Sequence, residues 1–517
     1  MGEQARFQWL KEALSFCDNS KQWRCPRWPI LLLSVVMLML VSIVFLAIGD
    51  ALNAKGAVLT RFLARAQAPL TAQWSYPPQA RDQITVLLYD EEFLTGTGSA
   101  WPISYGEHAS NLKRLVADTN ALPKAIFLDI TFGQVRDDKT ISQLAEALCE
   151  IQNPKKKEHA VPVFLAALPS NGLTPLAVRK ELMNDKGMAA CATLVGVDYF
   201  PDPLDGLAWT YELSRHRTVE GWRTGPGGPG DPTYRSAALA MAQLDKKLGP
   251  EVGPMALVWG LNSAKEQRAA TLKNCVRGEP SWSRLIPGVL RKLWEPEDKL
   301  PLCPYHATLS MDQLNVMNPV EINAHLKDKF VMVGANVPGY NDFVHSPVHG
   351  LLPGIHVHAM ALDNFLTFGD GYLVSAEWDK PSRKELFLPS LVVVAVVFLI
   401  HLLWNLVRRR VWAFWRHLHA FQDFQRWRRR YRASPEWAKW ATPRLLKGLG
   451  WIVRLTLQTI AAMILIALLQ KVFRIGMVPV AELVGMTLVA EGLDVARRLK
   501  NFLFEPTARP RRATPSM

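Results

Sequence analysis

Four histidines, His345, His349, His356 and His358, crowd into one stretch, "VMVGANVPGYNDFVHSPVHGLLPGIHVHA", residues 331–359. Imidazoles this close in sequence could hold a metal ion, and a glycine after a strand-like run could cradle a phosphate. Gly334 does follow such a run, "KFVMVGA", but neither G-x-G-x-x-G nor G-x-x-x-x-G-K-[ST] is present. His356 and His358 lie two apart on the helix that Pro353-Gly354 should open. Side chains so spaced diverge by about 200° and cannot share one ion. For His358, beside the apolar stripe of Ile355, Ala359, Leu362 and Leu366, a core histidine satisfied by one hydrogen bond is the simpler expectation. With no zinc spacing and no nucleophile–base pair, the reading is of a protein without catalytic residues, metal or cofactor, and not of an enzyme.

The carboxylates say more. Asp90 closes "ITVLLYD", Asp129 closes "AIFLD", and the segment Asn336–Asp342 follows "VMVGA". Ligands of open α/β sheets bind beyond the carboxyl ends of the strands. Asp90, Asp129, Asn336 and Asp342, with His358, are therefore the candidate ligand-binding residues. Gathered at one edge they would attract a cation, or pair with Arg136 or His358. The competing expectation is that Asp90 and Asp129 accept backbone N–H bonds in their own turns.

The elements that would position them alternate. Strand-like runs at 84–89, 125–130, 161–168, 193–200 and 329–335 are separated by helical spacing at 106–119, by "ISQLAEALCEI" and by "YRSAALAMAQL". "LVGVDYFPDPLDGLAWTYEL" reads as a strand, an Asp-Gly turn and a second strand. Apolar strands alternating with helices imply a mainly parallel sheet covered on both faces, filling residues 50–385. Four of the six cysteines, Cys149, Cys191, Cys275 and Cys303, fall in this region and in an oxidising compartment could form two disulfides, Cys275–Cys303 the more plausible because the two are nearer in sequence; buried free thiols are the competing expectation.

A net charge of +14 could suggest nucleic acid, but 49% hydrophobic residues and 18 Trp point to a membrane. Residues 29–48, "PILLLSVVMLMLVSIVFLAI", carry no charge over a length able to cross about 30 Å of hydrocarbon. Lys11, Lys21, Arg24 and Arg27 precede them and hold residues 1–28 inside; a cleaved signal peptide is the rival reading. A second span, 386–407, ends in Arg408-Arg409-Arg410, so the α/β body between the two spans lies outside the cytoplasm. Weaker spans follow at 451–469 and 475–493, with Arg454 and Glu482 as intramembrane polar residues able to pair, before a basic cytoplasmic tail, 494–517. Between the second and third spans, residues 408–449 interleave aromatics with arginines. Arg426, Trp427, Arg428, Arg429 and Arg430 form its densest part, suited to an anionic lipid surface or an acidic partner rather than to nucleic acid.

The order of these segments resembles the type-two CHASE family of extracellular sensory domains. The features that carry the resemblance are Gly334 at the end of a strand, Asp342, Pro353-Gly354, His358-Ala359, the Trp101-Pro102 pair and Asp129. His356 takes a place where the family commonly has an acid. The resemblance covers residues 50–370 and implies one span before the sensor and typically three after it, the arrangement reached above from hydropathy. Members commonly carry a cytoplasmic kinase, cyclase or phosphatase after the last span, whereas only about twenty residues follow Arg498 here. The expectation is a multi-pass bacterial inner-membrane sensor with a large periplasmic or extracellular domain, relaying a stimulus to a separate protein partner, with a homodimer reasonable by family analogy. The alternative is a structural or assembly subunit of a cell-envelope complex on the same scaffold.

Overall fold

The computed structural model describes residues 76–375 with Arg65, Ala68 and Ala72, apart from residues 156, 170–175, 184–190, 204, 219–220, 226, 229–232, 252, 265–274, 279–300, 338 and 340–341. The four expected spans, the basic segment with Arg426, Trp427, Arg428, Arg429 and Arg430, and the residues Arg454 and Glu482 lie outside the described residues. Among the described residues no helix is long and apolar enough to cross a membrane.

A seven-stranded sheet organises the domain, with strand order β11-β1-β12-β2-β3-β4 and β5 also paired to β3. Its members are β1 (Ile84–Asp90), β2 (Ala125–Leu128), β3 (Val163–Pro169), β4 (Leu176–Ala177), β5 (Thr193–Gly196), β11 (Ala307–Ser310) and β12 (Phe330–Asn336). Every pairing is parallel except that of β4 with β3. Successive side chains of a strand point to opposite faces. In β1, Val86 and Leu88 accordingly enter one core while Leu87 and Tyr89 enter the other, and all four are buried. The two apolar faces explain why the runs in the sequence are continuous rather than alternating.

One face is covered by α2 (Tyr105–Leu115) and α3 (Ile141–Gln152). Ser104 and Glu107 form a capping box that satisfies two N-terminal N–H groups of α2. Its start follows the cis Trp101-Pro102 bond. The other face receives α4 (Ala237–Ala242) and α6 (Ile355–Phe368). All twelve residues from Ile355 to Leu366 are buried, so α6 is apolar around its whole circumference and the expected stripe of four is only part of its contact surface. The helix crosses β12 at Gly334, where a β-carbon would come within 2.7 Å of the Ile355 Cβ. Glycine there is a packing requirement, not a phosphate loop.

Several expectations need correction. Pro353 does not open the last helix: it ends β14 (Gly350–Pro353), which pairs antiparallel with β13 (Phe343–Ser346), and Gly354 is the residue before α6. The strand expected over 193–200 stops at Gly196, and the helix expected over 234–244 is shortened to Ala237–Ala242. The residue before it caps it, with Ser236 Oγ accepting from Leu239 N–H. β7 (Ser214–Thr218), β8 (Gly221–Thr224) and β9 (Thr233–Arg235) form a separate antiparallel sheet around the turn-rich segment. Two disulfides close the domain, Cys275–Cys303 and also Cys149–Cys191. α1 (Glu91–Thr97) follows β1 directly, and α5 (Pro319–Leu326) precedes β12.

Candidate functional site

Asp129 follows β2, Val197 and Asp198 follow β5, and Asp342 and Phe343 follow β12, so they lie beyond the carboxyl ends of neighbouring strands, with Leu168 near the carboxyl end of β3 beside them. They line one cleft of about 730 Å³, closed at its base by Gly354, Val357 and His358 from the start of α6. That volume falls within the range of small-molecule sites, roughly 300–1,000 Å³. Its walls mix apolar groups, including Leu168, Pro201 and Val344, with three carboxylates.

His358 is the pivot. Its Nδ1 lies 2.7 Å from the Tyr211 hydroxyl, which also accepts from the Ala238 N–H at 3.5 Å. Either partner can donate in the Tyr211–His358 pair, since the phenol oxygen has two lone pairs. Nε2 faces Asp129 Oδ2 at 3.7 Å, close enough for electrostatic attraction but beyond hydrogen-bond reach. Rings of Phe127 and Tyr211 pack edge-on against the imidazole at 5.6 and 5.5 Å. This burial pushes the His358 pKa down to about 3, so the ring is neutral near pH 7 and offers Asp129 no counter-charge.

Asp129 is held in an unusual state. Its side chain is 9% exposed, and its carboxyl receives no hydrogen bond from the described residues. Burial, and next the charge of Asp342, raise its pKa well above the ordinary carboxylate value. Burial raises that of Asp342 as well. Asp342 is fixed by the chain itself, because its carbonyl accepts the Gly354 N–H at 2.9 Å across the base of the β13–β14 hairpin. A β-carbon at position 354 would come within 2.1 Å of Asp342 Oδ1. The Pro-Gly pair thus makes room for a carboxylate at the beginning of α6.

The third carboxylate, Asp198, is paired with Arg215, whose guanidinium also sits 5.0 Å from the ring centre of the exposed Phe200. None of the residues lining the cleft is a lysine or arginine. Among the described residues no group of three His, Cys, Asp or Glu side chains could hold a metal ion.

The structure brings together Asp129, Asp342 and His358, and leaves Asp90 and Asn336 out. Asp90 caps α1, accepting from Phe93 N–H at 2.9 Å and from Ser310 Oγ at 2.6 Å, which is the turn role weighed for it from sequence. Asn336 stands beside Asp90 in register and is exposed. His356 is not among the cleft residues, and burial, then the nearby His306 and His349, push its pKa down to about 3. Sequence reasoning missed Tyr211, Tyr199 and Asp198. The Tyr211 strand, β6 (Thr210–Tyr211), is two residues long and carries no periodic signal; "VDYF" showed only that polar residues follow a strand.

Behind the cleft, the second half of α6 makes a buried polar contact with the chain segment that leads into β1. Tyr76 hydroxyl donates to Asp363, and Asn364 Nδ2 donates to the Tyr76 hydroxyl at 3.2 Å. His306 Nε2 lies 3.2 Å from the other Asp363 oxygen, and Asp363 has no exposed surface.

The family model described as "CHASE2 domain" matches residues 31–403. Among curated proteins and among solved structures nothing matches.

Proposed function

The chain belongs to the CHASE2 domain family, a family of sensory domains, and from that premise we propose that it is a bacterial membrane sensor whose stimulus enters the cleft at Asp129, Asp342 and His358. The sensory domain lies outside the cytoplasm of the inner membrane, between the spans at 29–48 and 386–407. It performs no catalysis of its own and passes its state to a separate protein partner, with the arginine-rich segment around Trp427 as the contact for lipid or partner. A homodimer suits this role.

A single observation carries the reading. One continuous buried helix, α6, has His358 and Val357 in the cleft at one end and Asp363 and Asn364 bonded to Tyr76 at the other. Tyr76 lies in the segment arriving from the first span, and α6 leads toward the second. Rings of Tyr76 and Phe368 also pack edge-on at 5.7 Å. A rigid helix shared by cleft and both connections turns a small displacement at one end into a displacement at the other, provided that a ligand binds one arrangement more tightly.

Topology is tested with single cysteines in a Cys17→Ser/Cys25→Ser background and a membrane-impermeant maleimide on intact spheroplasts. Leu168→Cys, at the cleft mouth and 39% exposed, is expected to label without lysis, and Arg430→Cys only after it. The reverse pattern would contradict the proposal.

A further inference from the structure

The class of ligand can be read from the charges that the cleft leaves without partners. Resting on the reading of the cleft as the stimulus port, we infer that it takes a small organic cation, an ammonium or guanidinium group carried on an apolar body, with Asp129 and Asp342 as the anionic end of the site.

Asp129 is the group left uncompensated. Its side chain is nine-tenths buried, lines the cleft and receives no hydrogen bond from the described residues. A buried carboxylate without a compensating donor or charge is costly, and proteins pair such groups or neutralise them. Here the candidates for pairing within the fold are ruled out in turn. His358 Nε2 is 3.7 Å away on a neutral ring, and Arg215 is engaged by Asp198. Among the described residues no lysine or arginine lines the cleft, and the other lining histidine, His345, is exposed and makes no ion pair with Asp129 or Asp342. Asp342 adds a second carboxylate whose charge works against that of Asp129. An incoming cation would satisfy both.

The remainder of the cleft selects the form of that cation. Leu168, Val197, Pro201, Phe343 and Val344 present apolar surface, so a hydrocarbon or aromatic body is accommodated where a hydrated metal ion would lose its water shell against carbon. Tyr199 brings a hydroxyl that meets no partner among the described residues, available to a second polar group on the ligand. A cation binds the ionised pair and so draws the proton off Asp129, whereas an uncharged or anionic ligand leaves that carboxyl protonated and gains no ion pair.

The full-length chain in lipid nanodiscs is titrated calorimetrically with three probes of one shape and different charge: 2-phenylethylamine, 2-phenylethanol and phenylacetate, followed by agmatine, spermidine and calcium chloride. One or more of the organic cations is expected to bind at least tenfold more tightly than the neutral and anionic probes. Asp129→Asn and Asp342→Asn are each expected to weaken that binding at least tenfold while retaining the wild-type circular dichroism. Failure of every organic cation to bind at millimolar concentration overturns the assignment, as does binding of calcium alone, equal binding of the alcohol, or unchanged amine affinity in both variants. These outcomes concern ligand class only. If the cation binds but leaves the Tyr76 segment unaffected, the relay reading fails and the site assignment stands.

Discussion

Asp342 Oδ1 occupies the space that a side chain at Gly354 would need, with only 2.1 Å between that oxygen and an ideal β-carbon. Gly354 has ordinary helical dihedrals, φ −54° and ψ −36°, so glycine is required there by contact and not by backbone conformation. Gly354→Ala therefore displaces a carboxylate rather than bending a helix. The expected loss of stability is about 1 kcal/mol, at the low end for overpacking because the contacted atom ends a short side chain. Urea unfolding of the alanine variant checks the magnitude, and a loss of several kcal/mol would place the strain in the helix instead.

Gly334→Ala provides the contrast. Its β-carbon would approach the β-branched Ile355 to 2.7 Å between two buried elements. Neither partner can rotate away, and a loss of about 2–3 kcal/mol is expected. The same unfolding experiment should rank Gly334→Ala below Gly354→Ala in stability, while only the latter directly moves a cleft carboxylate.

Asp129 gives a pH signature. With its folded pKa raised, the native state holds a proton that the unfolded chain has released, in the window from the ordinary carboxylate value up to the raised one. Stability from this group consequently falls as pH rises through that window. Asp129→Asn removes the effect, so the variant is expected to equal wild type near pH 4 and to melt at a higher temperature at pH 8. Melting curves at the two pH values check it, and a variant less stable than wild type at both would show that the carboxylate is a structural hydrogen-bond acceptor.

Three buried histidines act with the opposite sign. His108, His356 and His358 all have pKa values lowered to about 3 by burial. Unfolding lets each take up a proton below about pH 6.5, so the stability they contribute is complete above that pH and drains away as pH falls toward 3. His108 isolates the effect, because neither ring nitrogen meets a partner among the described residues and the ring packs edge-on against Tyr89 and Phe132. His108→Leu is expected to stabilise the protein more at pH 5 than at pH 8, by about 1.4 kcal/mol per pH unit below 6.5. Urea unfolding at both pH values measures this difference; an equal change at each would mean that His108 does not titrate on unfolding.

Much of this architecture was legible from apolar runs. β1, β2, β3 and β12 appear within two residues of their expected bounds because strands buried on both faces must be apolar throughout. The carboxyl-edge rule located Asp129 and Asp342, but it could not separate them from Asp90, since all three are acids after a strand. The difference lies in tertiary partners: Ser310 and the α1 N-terminus satisfy Asp90, and nothing comparable reaches Asp129. β11 was missed for a related reason, and β6 is only two residues of the second strand expected after the Asp-Gly turn. "ATLS" and "TY" are too short and too mixed to show a period, and they become strands only by pairing with β1 and β10 (Met255–Ala256). The divergence of His356 and His358 followed from helical geometry alone, and their separate surroundings agree with it.

The central claim is that cleft occupancy is transmitted along α6 to Tyr76. Hydrogen exchange followed by mass spectrometry on the full-length chain, with and without the tightest-binding organic cation, tests it most directly. The prediction is a change in exchange both at residues 354–358 and, remote from the ligand, around Tyr76 and Asp363, with the remote change lost in Tyr76→Phe although the cation still binds. A change confined to the cleft, with the Tyr76 segment exchanging as before, would contradict it.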